Sequence, residues 1–457
     1  MNLLSKSNIE PRMLTLFLGD LFLTFTAFHF TNFVLKLDMR ASELLEIKIA
    51  AFSLPLLFFS FLIELYNTRR IFDRSLLLFR PFLVAFLTFI FLEICYYLIP
   101  YLAVDDKFLG FSLLTFFLLQ AVWHNFFLFV MGLPALIRPV MILGTGPKAE
   151  KIAELLNTTD NNFILRGYIS TPFDSWTVPD DEVLADTESI LDVVKNEKVH
   201  TIVMALSERR GNLPIENLLT CKLLGTNIVE LPAFYETLTG KLPVEDIDPS
   251  WFINNSGFRI TGTVRMFKRI SDLFFSSVGI VLALPILPVV ALMIKMSSKG
   301  PIIYKQIRTG ELEEDFHIYK FRTMRQDAES KGNAIWAQKN DSRVTGVGSF
   351  LRKTRLDELP QLFNILKGDM SFVGPRPERP EFVRQIKGMT KYYGERHFVK
   401  PGLTGWAQVK YEYGASFGDS IEKLRYDLYY VKNMSYFMDL LITLETIKVV
   451  IFRRGGR

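Results

Sequence analysis

The chain has 457 residues, 49% hydrophobic, 14% aromatic and 22% charged, with a formal net charge of +5. Ample apolar content and only two cysteines, Cys95 and Cys221, exclude a disordered chain, a small disulfide scaffold and a Cys-rich metal site. So slight a positive balance, with no run of five or six like charges, gives no argument for a nucleic-acid partner.

Residues 1–135 carry only 10 basic and 10 acidic side chains but 23 of the 41 phenylalanines, which suits side chains facing lipid. Four apolar segments, roughly 13–35, 47–66, 82–101 and 108–131, are each long enough to cross about 30 Å of hydrocarbon as helices. Residues 1–136 therefore read as a four-helix transmembrane bundle, its first span retained because no signal-cleavage pattern comes after it. Lys6, Arg12, Arg69, Arg70, Arg74, Arg80 and Arg138 fall on one side of the spans, and Lys36, Arg40 and Lys107, with acids beside them, on the other. The positive-inside rule then puts the N terminus, the second loop and everything after residue 135 in the cytoplasm. Asp20, His29 and Glu93 interrupt apolar runs, and are expected to bond between helices or sit near span ends rather than form an ion path.

From Pro139 the pattern becomes strand, glycine turn and helix, then alternating strands and helices, so 137–255 reads as a Rossmann-like α/β domain with a parallel sheet. Its turn, Gly144-Thr145-Gly146, can offer a phosphate the N terminus of the next helix, although a tight strand-to-helix turn needs glycine for backbone reasons alone. No acid closes the second strand at Gly167 to Thr171, which weakens a dinucleotide site. None of the 16 tyrosines has a lysine four residues later, so the Tyr-x-x-x-Lys pair of a short-chain sugar-nucleotide dehydratase is missing.

Residues 256–300 hold a further apolar run, Leu273 to Met296. It is long enough for a fifth span, but Pro285 and Pro288 sit near its centre and both flanks are basic: Arg265, Lys268 and Arg269 before, Lys295, Lys299, Lys305 and Arg308 after. A re-entrant membrane helix that bends and returns satisfies both observations.

Residues 301–457 concentrate polar chemistry. Lys320, Arg322 and Thr323, in Ile318 to Met324, put two cations on one side of an extended segment beside a hydroxyl, a pattern suited to gripping phosphate. Further on, Arg352 precedes Asp357 and Glu358, adjacent carboxylates just before a short apolar helix, Gln361 to Leu366, that stops at Gly368. The dipole of that helix is expected to keep both ionised. Such a pair suits Mg²⁺ with phosphoryl chemistry, one carboxylate binding the metal while the other attacks phosphorus; a solvated helix cap is the alternative. Arg376 lies between Pro375 and Pro377, a stiff presentation for bidentate contact with phosphate. The loop from Lys400 to Val409, with Trp406 and Gln408, can clamp a base or sugar, or simply make turns. The run Asp427 to Phe452, ending in Arg453, Arg454 and Arg457, is either a helix on the anionic leaflet or a packing helix.

Four segments together resemble the bacterial sugar transferase family, the polyprenyl-phosphate hexose-1-phosphate transferases of the monotopic phosphoglycosyl transferase superfamily. These are Phe267-Lys268-Arg269-Ile270-x-Asp272, Lys320 to Met324, Leu356 to Pro377 and Pro401-Gly402-Leu403-Thr404-Gly405-Trp406, and the resemblance covers about 265–452. It implies an α-rich α/β catalytic domain on the cytoplasmic face of the bacterial inner membrane. It also implies that Asp357 attacks the sugar-bearing phosphorus of a UDP-sugar, that UMP leaves, and that undecaprenyl phosphate takes the phospho-sugar from Asp357. Glu358 then corresponds to the Mg²⁺-binding carboxylate, Lys320, Arg352 and Arg376 to the basic residues that hold phosphates, and Pro285 to the break in a re-entrant helix, with Leu284 where small members often have serine. The spans and the α/β domain make the chain similar to the large members that initiate exopolysaccharide or O-antigen subunits with glucose or galactose. The implied partners are UDP-sugar, undecaprenyl phosphate and membrane lipid. A homodimer through the spans or the middle domain is compatible with this, but no heptad or Gly-x-x-x-Gly pattern requires one. A non-catalytic membrane assembly factor for envelope polysaccharide is the alternative.

Overall fold

The computed structural model describes residues 11–36, 44–67, 78–131, 137–159, 162–172, 174–207, 213–255, 257–325, 341, 343–411, 414 and 416–452. Lys6, Arg40, Arg69, Arg70 and Arg74, used above for orientation, and Arg453, Arg454 and Arg457, used for a helix on the anionic leaflet, lie outside them. The described residues form two compact units, one through residue 228 and one from residue 229 onwards.

The first unit begins with α1 (Pro11–Val34), α2 (Leu45–Leu62), α3 (Phe79–Leu98) and α4 (Asp106–Met131), all four long and apolar enough to cross a membrane. Two end earlier than the hydropathy suggests. α2 stops at Leu62 because the chain turns through Glu64 at φ 63, a left-handed conformation that ends helical pairing. α3 stops at Leu98 because Ile99 precedes Pro100, and a residue before proline is driven out of the helical region, here to φ −134 and ψ 74.

The bundle has its polarity inside. Phe22, Phe33, Phe126 and Phe129 are exposed, whereas Asp20, Ser60, Gln120 and His124 are buried. Gln120 Nε2 donates to Asp20 Oδ2 at 2.6 Å and to Ser60 Oγ at 3.0 Å, and His124 Nε2 lies 3.0 Å from Asp20 Oδ1. These contacts join α1, α2 and α4, so Asp20 bonds between helices; His29 is exposed and Glu93 half-buried.

The same unit carries β1 (Arg138–Leu143), α5 (Pro147–Thr158), β2 (Phe163–Ile169), β3 (Val183–Ala185), α6 (Ile190–Asn196), β4 (Thr201–Met204), α7 (Ile215–Leu223) and the start of β5 (Asn227–Glu230), at whose middle the second unit begins. The five strands order as β3-β2-β1-β4-β5, and β1 pairs in parallel with both β2 and β4. Apolar residues on these strands and on α6 and α7, among them Met141, Leu143, Ile202, Ile190 and Cys221, form one core.

The second unit continues with α8 (Leu231–Thr239) and α9 (Pro249–Asn254). The sequence assigns these residues to the middle domain, yet they pack on the C-terminal part of the chain. Leu242, Ile247 and Trp251 share a core with Val373, Phe382, Leu428 and Tyr430, Glu236 pairs with Lys432, and Trp406 Nε1 donates to Gly240 O at 2.9 Å.

Next come α10 (Gly262–Ala283) and α11 (Ile286–Ser297), bent by 63° at Leu284-Pro285. Pro285 caps α11 and Pro288 lies in its first turn, the part of a helix where a missing N–H costs nothing. Three polar side chains of α10 grip residues 365–373 and Asp439. Arg269 donates from Nη1 to Ile365 O and from Nη2 to Leu366 O, both at 2.7 Å, while Asp272 Oδ1 accepts from Ser371 Oγ at 2.8 Å and Phe372 N at 2.7 Å. Lys268 Nζ donates to Val373 O at 2.7 Å and to Asp439 Oδ2 at 2.8 Å.

The rest is β6 (Ile303–Thr309) and β7 (Asp315–Phe321) as an antiparallel hairpin, then α12 (Gly346–Lys353), α13 (Gln361–Lys367), β8 (Ser371–Val373), α14 (Pro380–Met389), β9 (Gly402–Thr404), α15 (Trp406–Lys410), α16 (Phe417–Lys432) and α17 (Tyr436–Ile451). β8 and β9 pair in parallel and bring residues 371–377 against 400–408. The approach is close enough that a Cβ on Gly402 would sit 2.1 Å from Gly374 N, and one on Gly405 2.2 Å from Gly374 O.

Candidate active site

Arg355 adopts φ 58 and ψ 12, the chain tightens into a single turn over Leu356 to Glu358, and Pro360 at φ −61 starts α13. This reversal turns Asp357 and Glu358 inward, each only 8% exposed. Asn364 ties α13 to β7, its Oδ1 accepting from Tyr319 N at 3.0 Å and its Nδ2 donating to His317 O at 2.7 Å. Lys320, next to Tyr319 on β7, is thereby held beside the two carboxylates.

The two carboxylates have opposite environments. Glu358 Oε1 accepts from Arg376 Nη2 at 2.7 Å and Lys320 Nζ at 3.1 Å, and Arg355 Nη1 lies 3.7 Å from Oε2. Burial alone would raise Glu358, but Arg376, Lys320 and Arg355 hold it well below the ordinary carboxylate range. Asp357 has a buried Oδ1 with no hydrogen-bond partner among the described residues. Burial, reinforced by the charge of Glu358, pushes Asp357 up to about 6, although Lys320, Arg352 and Arg376 act the other way. A carboxyl near 6 is still mainly ionised at neutral pH, but the helix dipole does not hold Asp357 as low as Glu358. Desolvation and a like charge outweigh the weak field of the seven-residue α13 at Asp357.

Five of the other sequence candidates gather here. Arg376 also donates from Nη1 to Gln408 Oε1 at 2.9 Å, bridging the dyad and the glycine-rich loop. Arg352 Nε donates to Thr323 Oγ1 at 3.0 Å, and Lys320 completes the group. Arg322 does not join them. β7 ends at Phe321, so strand alternation no longer governs Arg322, whose Nη2 donates to Ser298 O at 2.7 Å and Ser298 Oγ at 3.0 Å. It closes the C-terminal end of α11. Pro285 lies at the helix bend. Gly144 and Gly146 belong to the other unit, where Asp174 already occupies their turn: its Oδ2 accepts from Thr145 N at 3.0 Å and its Oδ1 from Ser207 N at 3.3 Å.

Sequence reasoning missed Arg355 and Asn364. A cation two residues before the dyad and an amide inside an apolar helix were the available signals. Among the described residues no three His, Cys, Asp or Glu side chains converge on a metal site. Mg²⁺ commonly takes one or two carboxylates and completes its shell with water and substrate phosphate, and the adjacent buried carboxylates of Asp357 and Glu358, the latter with Arg355 no nearer than 3.7 Å to its Oε2, fit that donor set.

The family model described as bacterial sugar transferase matches residues 263–453. The UDP-N-acetylgalactosamine-undecaprenyl-phosphate N-acetylgalactosaminephosphotransferase of Aeromonas hydrophila is 41% identical over 238 residues, 52% of this chain and 55% of that protein. The UDP-glucose:undecaprenyl-phosphate glucose-1-phosphate transferase of Klebsiella pneumoniae is 43% identical over 192 residues, 41% of each chain. The chain thus spans about half the length of these two relatives or less. The exopolysaccharide production protein PSS of Rhizobium leguminosarum bv. phaseoli is 39% identical over 197 residues, which cover 97% of it. On that near-complete coverage, and with the family model running through Asp357, Glu358 and Arg376, the chain belongs to the bacterial sugar transferase family.

Proposed function

We propose that the protein transfers a sugar-1-phosphate from a UDP-sugar to undecaprenyl phosphate, giving undecaprenyl-diphosphate-sugar and UMP, as the first step in building an exopolysaccharide or O-antigen subunit. The observation that carries this reading is the division of labour in the dyad: Glu358 Oε1 is bonded by two cations while Asp357 Oδ1 is buried and unbonded. A desolvated, unbonded carboxylate oxygen is a competent nucleophile.

In the first displacement Asp357 Oδ1 attacks the sugar-bearing phosphorus, the bond from that phosphorus to the bridging oxygen breaks, and UMP leaves with that oxygen. In the second, a phosphate oxygen of undecaprenyl phosphate attacks the same phosphorus and Asp357 departs as a carboxylate. Arg376, Lys320 and Arg352 supply fixed positive charge to the phosphoryl oxygens in both steps, where preorganised charge is most effective. Glu358, with the Asp357 oxygen that does not attack, would hold Mg²⁺ together with substrate phosphate. When bound, the ion neutralises charge on the diphosphate and on the leaving UMP.

The reading places α10 and α11 in the cytoplasmic leaflet as a re-entrant hairpin, which fits the 63° bend and the basic flanks. The middle domain then has a strand order of β3-β2-β1-β4-β5 without an assigned nucleotide, because Asp174 takes the Thr145 N–H of its glycine turn and the Ser207 N–H beyond β4. The test is to supply membranes containing the protein with undecaprenyl phosphate, Mg²⁺ and single UDP-sugars, UDP-glucose, UDP-galactose and UDP-N-acetylgalactosamine among them, and to measure UMP release for wild type and Asp357→Asn. One productive sugar with an inert variant supports the reading; equal activity in the variant removes it.

A further inference from the structure

Behind Arg376 lies a buried ionic cluster that the proposed chemistry does not use. Arg396, in the tight turn Gly394–Phe398, is 5% exposed, and Asp427, on α16, is 2% exposed. Arg396 Nη2 lies 2.8 Å from Asp427 Oδ2 and donates to the backbone carbonyl of Arg376, also at 2.8 Å. Its Nη1 donates to Tyr393 Oη at 2.7 Å, and the guanidinium lies 5.1 Å from the centre of that ring. The next carbonyl, of Pro377, accepts from Arg308 Nη1 at 3.1 Å, and Arg308 faces Glu378 at 3.6 Å. Two arginines therefore hold the two consecutive carbonyls of the turn that presents the Arg376 side chain to Glu358 and Gln408.

Stability is a poor reason for such a cluster, since a buried ion pair is often replaced by apolar side chains without loss. Position is a better one. Pro375 and Pro377 stiffen the turn around Arg376 but do not anchor it against the dyad. A planar guanidinium with its donors in a fixed fork can fix a carbonyl, a carboxylate and a hydroxyl at set angles at once, which a lysine cannot.

Resting on the transferase reading above, we propose that Arg396, oriented by Asp427 and Tyr393, is a positioning residue for Arg376, setting the distance between the Arg376 guanidinium and the reacting phosphate. It touches no substrate and acts through the Arg376 carbonyl. A displacement of about 1 Å at a phosphate-holding group is enough to cost on the order of 100-fold in rate.

The test is a double-mutant cycle on the full-length protein in membranes, with kcat and KM measured for the UDP-sugar. Arg396→Lys keeps the charge opposite Asp427 and loses the fork; kcat should fall about 10- to 100-fold with KM nearly unchanged. In an Arg376→Ala background the same substitution should cost less than about 2-fold, whereas in an Arg352→Ala background, where the deleted side chain bonds Thr323 rather than Glu358 or Gln408, it should cost its full amount, because substitutions with no shared partner add. Tyr393→Phe removes one hydroxyl and leaves the ion pair, so it serves where Arg396→Lys does not fold; its smaller loss should likewise vanish in Arg376→Ala. Losses that multiply equally in all backgrounds, or a wild-type kcat in both variants, overturn the proposal. A wild type inert toward every UDP-sugar removes the transferase reading and the proposal with it, and is told apart from the first case by the missing wild-type activity.

Discussion

Arg376 donates to Glu358 Oε1 at 2.7 Å, and that contact separates the two adjacent carboxylates into different chemical roles. With Lys320 and Arg355 it keeps Glu358 ionised, while the charge of Glu358 adds to burial in raising its neighbour Asp357.

Asp357→Asn should make the metal-free protein more stable at neutral pH while abolishing transfer. The folded-state value of Asp357 is raised from 3.8 to about 6, so its contribution to stability is fully present below about pH 4 and is lost as pH rises through 6. Asparagine escapes that loss. With EDTA present, denaturant unfolding should show a gain of roughly 1–3 kcal/mol at pH 7.5 that disappears towards pH 4; no gain at pH 7.5 contradicts the raised value.

Glu358→Gln should do the reverse. Its folded-state value is depressed, so the stability it contributes is present above about pH 4.5 and lost as pH falls towards the folded value. Leaving Lys320 and Arg376 without their carboxylate should cost about 2–4 kcal/mol at pH 7.5, measured by the same unfolding experiment, and at least about 100-fold in transfer rate.

The α10–α11 pair can be tested by labelling. In a protein lacking Cys95 and Cys221, single cysteines in place of Arg265 and Lys299 should both react with a membrane-impermeant maleimide in inside-out vesicles and neither in right-side-out ones. Reaction of the Lys299→Cys protein from the opposite side would mean a full crossing.

The glycine turn of the middle domain should show no response to nucleotide in the wild type, since Asp174 holds Thr145 N and Ser207 N. Calorimetric titration with ATP or NAD should give no heat of binding. A clear binding isotherm in the wild type would contradict the occupancy by Asp174.

Much of the scaffold was legible because it rests on local patterns. Four apolar runs became four helices, Pro285 marks the bend, Gly368 at φ 99 ends α13, and the strand and helix alternation after Pro139 became a parallel sheet. The gathering of Lys320, Glu358, Arg376 and Gln408 could be anticipated from the types and order of the motifs. What escaped depends on tertiary packing. Arg322 turns to Ser298 because β7 ends one residue earlier, and Asp357 is raised by a burial that no spacing reveals. The Arg396 to Asp427 pair joins two distant segments that nothing local links. Likewise, residues 231–254 pack beside Tyr430 and Trp406 because of long-range apolar contacts.

The most direct measurement is the intact mass of the purified protein after incubation with Mg²⁺ and its UDP-sugar in the absence of undecaprenyl phosphate. The account predicts an added sugar phosphate, located on the peptide containing Asp357, lost when undecaprenyl phosphate is supplied and absent in Asp357→Asn. An active enzyme that never carries the adduct, or an adduct that persists in Asp357→Asn, would contradict a covalent intermediate on Asp357.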